Sequence, residues 1–146
     1  MPATRLTATF DVTGWDAAPD SVFPHHSGEA PMTRVAVRKT FRGDLDGESA
    51  GEALLCQSAD GATTPGGGYV VSERVRGTLA GREGSFVMQH GGIAGAGAAP
   101  FTFGRIVPGS GSGDLAGLAG TVTIAADADG THRLTLDLET DADGDS

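Results

Sequence analysis

A single cysteine, Cys56, stands in this 146-residue chain, so no intramolecular disulfide framework can form, and a small buried filler is the role expected of it. Basic residues are scarce: ten Lys and Arg face nineteen Asp and Glu, a formal charge of −9. That balance speaks against nucleic acid and anionic membrane surfaces as partners, because phosphate recognition needs clustered cations and these are scattered. No run approaches the ~20 apolar residues of a membrane span. The opening MPATRLTATF lacks the basic segment and apolar core of a signal peptide, so the expected compartment is the cytoplasm. No amphipathic helical period is evident either. The glycine-rich segment Pro108 to Gly120 carries no GK[ST] and leads into no helix, which excludes a phosphate cradle.

Glycine is what the chain has in quantity. Its 24 glycines follow no three-residue period, and they suit the tight turns and close backbone approaches of an all-β domain. Alternation of period two predicts eight strands, at about residues 5–12, 32–42, 48–58, 69–79, 85–90, 101–107, 120–126 and 131–139. Gly43-Asp44-Leu45-Asp46-Gly47, Gly81 with Gly84, and Ala128-Asp129-Gly130 supply turns between them. Eight antiparallel strands with short connections suggest an up-and-down meander closed into a β-barrel, since closure removes unpaired edges. Residues 1–140 read as one such domain and 141–146 as an acidic tail. Leu115 and Leu118 are expected to tuck under the barrel floor. Residues 16–31 form a long polar loop, with Trp15, Phe23, His25 and His26 as a lid over one mouth.

The fourth strand carries the chemistry. One face reads Tyr69, Val71, Glu73, Val75, Leu79, which puts a carboxylate on an otherwise apolar surface. Such a group must be paired, protonated or useful. Burial is expected to raise its pKa and fit it for acid or base work near neutrality; the alternative is an ion pair with Lys39 or Arg105, both read as lying on apolar faces. On the next strand, Gln89 and His90 point to opposite faces. The set Phe86, Met88, His90 is more apolar than Ser85, Val87, Gln89, so His90 is favoured inward, where it would couple to Glu73. Glu52 shares a parity with Leu54 and Cys56 and is a candidate for the interior, and Tyr69 is placed to orient a ligand oxygen. His132 reads as a rim residue. His25 and His26 have no accompanying cluster, so neither metal nor cofactor is expected.

The ordered elements Lys39-Thr40-Phe41, Gly43-Asp44-Leu45, Glu73-Arg74-Val75, Gly77-Thr78-Leu79, Gly84-Ser85-Phe86, Gln89-His90, Val107-Pro108-Gly109 and Gly113-Asp114-Leu115 resemble the bacterial family catalogued as domain of unknown function 3224, over roughly residues 4 to 140. That resemblance implies a small barrel of the allene oxide cyclase and dirigent kind, self-association as a homodimer or homotrimer, and no particular reaction. Where the family usually carries a tryptophan near position 103, this chain has Phe103, which bears on one cavity wall. The expected function is binding of a small apolar or aromatic molecule in the barrel cavity, with cyclase or isomerase chemistry as an extension by fold analogy. Glu73 and His90 are the candidate catalytic pair; Tyr69, Glu52, Gln89, Phe103, Arg105 and Lys39 are the candidate ligand contacts. A non-catalytic carrier, or a structural module with a filled interior, are the alternatives.

Overall fold

The structure, a computed structural model, describes residues 4–19, 24–59, 61–62, 65–95 and 97–139. Alternating burial runs through almost all of it. Nine strands lie among the described residues: β1 (Thr4–Pro19), β2 (Met32–Gly43), β3 (Leu45–Gln57), β4 (Gly66–Leu79), β5 (Arg82–Gly95), β6 (Ala98–Ile106), β7 (Ser112–Gly113), β8 (Gly120–Ala126) and β9 (His132–Leu138). All belong to one antiparallel sheet, in which each long strand pairs with the next and β9 returns to β1. Eight of them therefore close a ring, and β7 adds a two-residue pairing beside Gly84 and Ser85 on β5. No helix among the described residues is long and apolar enough to cross a membrane.

Turn chemistry explains the shortest link. Ala80 and Gly81 both have positive φ, 50° and 85°, the twist a two-residue hairpin needs to join β4 to β5. Gly84, expected in that turn, already lies in β5. The first strand runs further than its alternation suggested, because a bulge falls between Val12 and Gly14. Phe10 and Val12 pair with Phe41 and Lys39, whereas beyond the bulge Trp15 and Ala17 pair with Val37 and Val35. One extra residue flips the parity, so a period-two reading stops there. Trp15 thus stands on a strand instead of in a lid loop. Phe23, its expected companion, and the acidic tail lie outside the described residues.

Inside the ring the side chains form three zones. At one end Phe41, Leu45, Leu79, Phe86, Leu134 and Leu136 belong to the larger buried cluster, and Leu115 and Leu118 from the glycine-rich connection close it from below. Toward the other end Val35, Val37, Ala53 and Val71 make a smaller one. Between the clusters sits a polar rung of Lys39, Ser49 and Glu73, with His90 beside it; all four are buried. The interior is therefore filled at one end and open at the other.

The third strand explains how the rung fits. Its inward positions are Leu45, Gly47, Ser49, Gly51, Ala53 and Leu55, which leaves Glu48 and Glu52 outside. Gly51 is registered opposite Glu73, and a Cβ on Gly51 would lie 2.6 Å from both Cα and Cβ of Glu73 and 2.2 Å from the Ser72 carbonyl oxygen. Only a bare backbone lets β3 pass this close to the glutamate.

Candidate functional site

Glu73 is 2% exposed and every donor around it converges on its carboxylate. Lys39 Nζ donates to Oε2 at 2.8 Å, Ser49 Oγ donates to Oε1 at 2.7 Å, and His90 Nε2 lies 2.6 Å from Oε2. The four residues come from β2, β3, β4 and β5, so one side chain ties together four neighbouring strands. Desolvation by burial acts to raise the Glu73 pKa, as expected from the sequence. It is outweighed by the hydrogen bond from His90, the charge and hydrogen bond of Lys39 and the Ser49 hydroxyl, which together bring the carboxyl down to about 2. The expected upward shift is thereby reversed: Glu73 is a carboxylate, and as an acceptor it makes His90 Nε2 a donor.

Lys39, the only lysine in the chain, has its ammonium 4.8 Å from the centroid of the Phe10 ring as well, so its charge is held between a carboxylate and an aromatic face. His90 makes one hydrogen bond of its possible two. Its Nδ1 is buried and has no hydrogen-bond partner among the described residues. Tyr69 sets its ring edge-on to the imidazole, with centroids 6.1 Å apart.

Above this rung the open end of the ring encloses a cavity of about 590 Å³. Phe10, Val37, Val71, Tyr69 and Ile124 give it an apolar lining, Lys39 and His90 form part of its polar lining, and Trp15 stands at its edge, largely exposed. A second cavity of about 250 Å³ adjoins it where β6 and β8, registered only at Arg105 and Thr121, diverge; it too is bordered by Tyr69 and His90. His132, stacked on Phe10 at 5.2 Å, occupies the rim.

Four residues expected to line the cavity stand elsewhere. Glu52 is exposed on the outer face of β3, because the inward parity there is held by glycines, serine and alanine, which leave no apolar alternation to read. Gln89 is also outside, donating to Ser72 Oγ at 3.3 Å. Arg105 is exposed and donates to Glu139 at 3.2 Å, so it is not the partner of Glu73. Its strand turns an apolar face outward: Phe101 and Phe103 are exposed and stacked 6.5 Å apart, while Thr102 and Ile106 face in. Phe103 covers Gly91 and borders the smaller of these two cavities, not the larger. Cys56 is exposed instead of buried. Lys39, Tyr69, Glu73 and His90 are brought together as anticipated. Ser49 was missed, although its position between the inward glycines 47 and 51 was a usable signal. Among the described residues no group of three His, Cys, Asp or Glu is placed to hold a metal ion.

A closed ring of antiparallel strands, filled at one end and carrying a buried carboxylate–lysine–histidine cluster beneath an apolar cavity, defines the class. Over residues 6–138 the chain matches the family described as "Protein of unknown function (DUF3224)", and it belongs to that family. A crystal structure of a DUF3224 protein of unknown function from Shewanella oneidensis MR-1 is similar to it, with a TM-score of 0.78 and 36% identity, covering 94% of this chain and 96% of that one. No curated protein matches.

Proposed function

We propose that this protein binds a small apolar or aromatic molecule in the cavity at the open end of the ring. The observation that carries the reading is a mainly apolar cavity of about 590 Å³ bordered by two buried polar residues, Lys39 and His90. Sites for small molecules combine an apolar lining with a few fixed polar groups in this way. The ring of eight consecutive antiparallel strands supports describing the fold as an up-and-down barrel of the allene oxide cyclase and dirigent kind. Native mass spectrometry of the protein purified from its own host, followed by denaturing extraction, tests the reading. A stoichiometric small molecule is the expected result; an empty protein that also fails to take up apolar probes would overturn it.

Catalysis is an extension of the same site, favoured by the 2.6 Å contact between Glu73 and His90. In a cyclisation or isomerisation the proton would pass through His90, with Glu73 as the ionised group that orients the ring and Tyr69 beside it. A carrier would need the cavity and not the proton transfer. A homodimer or homotrimer would use the outer face of β3 to β6, where Leu54, Val70, Phe101 and Phe103 are exposed together. Sedimentation velocity checks that part. A cytoplasmic location fits a lone exposed thiol.

A further inference from the structure

We propose that the occupant carries a secondary amide, which lies between β6 and β8 while the apolar remainder of the molecule fills the larger cavity. The inference rests on the cavity reading above and adds the polar group that the occupant presents.

Pairing around the ring is interrupted at this gap. β5 and β6 are registered from Met88 and Ile106 to Gly95 and Ala98, and β8 pairs with β9 along its whole length. β6 and β8 meet in register only at Arg105 and Thr121. Continued, that register would bring Phe103 opposite Thr123 and Phe101 opposite Ala125, but the strands part instead. An antiparallel strand turns the N–H and C=O of every second residue toward each neighbour. Both strands therefore keep backbone donors and acceptors along the gap.

Those backbones stand on the wall of the smaller cavity. It is lined by three consecutive residues of β6, Thr102 to Gly104, and four of β8, Thr121 to Ile124. Consecutive side chains point to opposite faces of a sheet, so a space touching all of them lies along the strand edges. Gly104, which has no side chain, borders it through backbone alone. Among the described residues no Asp, Glu, Lys or Arg lines it.

A strand edge offers a donor and an acceptor side by side, and a secondary amide answers both with one group. An ester of the same shape answers only the donor. Tyr69, Thr102 and Ile124 line this space and the larger cavity alike, so an amide in the gap leaves its apolar body in the lumen. Two sources share this chemistry: an extended apolar peptide and a small apolar amide. The difference between a made and an unmade hydrogen bond corresponds to about tenfold in affinity.

Isothermal titration of the full chain with N-octylacetamide, N-methyl-N-octylacetamide and octyl acetate tests this. The secondary amide is expected to bind about tenfold tighter than either analogue. Equal binding of the three would overturn the amide assignment and leave the cavity reading standing. Binding of none of them would count against the cavity reading itself. Acetyl-Leu-Val-Leu-amide separates the sources: a peptide that outbinds N-octylacetamide points to a polypeptide segment, and the reverse to a small amide. Phe103→Cys with Thr123→Cys, in a Cys56→Ser background, closes the gap on oxidation. The amide preference should vanish in the oxidised form and return on reduction; its persistence in the oxidised form would overturn the proposal. Should that disulfide not form, hydrogen exchange of the wild type decides. Alternate amides of residues 101–103 and 123–125 should exchange fast in the free protein and slow with N-octylacetamide but not with octyl acetate. Protection of every one of those amides in the free protein would show the gap closed and overturn it.

Discussion

Lys39 and Glu73 form a buried ion pair across three strands, with Nζ 2.8 Å from Oε2 and both side chains almost wholly removed from water. Removing one member leaves the other charge uncompensated, which costs about 3–5 kcal/mol. Glu73→Leu and Lys39→Met are each expected to lose stability on that scale in urea unfolding at neutral pH. The double substitution Lys39→Met with Glu73→Leu replaces the pair with apolar groups and is expected to lose much less than the sum. Additive losses would mean that the two side chains are not coupled.

The same carboxylate sets part of the acid sensitivity. Its folded pKa of about 2 lies below the ordinary 4.5, so the unfolded chain takes up the proton first. The stabilisation is therefore complete above about pH 5 and is lost as pH falls from about 4.5 to about 2, amounting to roughly 3 kcal/mol. Urea midpoints measured between pH 6 and pH 2.5 should fall more steeply for the wild type than for the Lys39→Met, Glu73→Leu protein. Parallel curves would place the acid sensitivity in other carboxylates.

Where alternation involved large side chains, the sequence was enough. Val35, Val37, Lys39 and Phe41 on β2, and Val71, Glu73 and Val75 on β4, face inward as their parity required, and the glutamate on an apolar face did mark the buried polar cluster. The strand between them was opaque. Its inward row of Gly47, Ser49, Gly51 and Ala53 is small because β4 passes so near, so the interior looked less apolar than the exterior. On β6 the apolar residues themselves point out. What sequence could not supply was the balance on Glu73, since burial and three donors act in opposite directions and only distances decide between them.

Gly51 gives that close approach a direct test. With a Cβ 2.2 Å from the Ser72 oxygen and 2.6 Å from Glu73, Gly51→Ala must push β3 away from β4 and disturb the glutamate. A loss of about 1–3 kcal/mol is expected from such overpacking. Gly14→Ala, whose added carbon meets only the Arg38 side chain at 3.2–3.4 Å, should cost clearly less. Equal losses in thermal unfolding would remove the argument for strand proximity.

Cys56 is exposed on β3, where a buried filler was expected. It should therefore react stoichiometrically with a water-soluble thiol reagent in the absence of denaturant, without change in the far-ultraviolet spectrum. A thiol that reacts only after urea is added would show it to be covered in solution, as self-association through the outer face of β3 to β6 would do.

Trp15 offers an optical reading of the cavity. It is the only tryptophan, it is 59% exposed, and its ring lies among the residues bordering the cavity, opposite Val37. In the free protein its emission should be that of a hydrated indole and should be quenched readily by acrylamide. An apolar, non-fluorescent alcohol such as menthol would exclude water from the indole on entering the cavity, giving a blue shift and slower quenching. Val71→Trp, registered opposite His90, puts a large ring into the same space and leaves the polar rung unaltered. Its second indole complicates the spectrum, so binding by that variant is better followed by calorimetry, where the affinity should drop at least tenfold. Unchanged Trp15 emission at concentrations that calorimetry shows to be saturating would place the bound molecule away from this end of the ring.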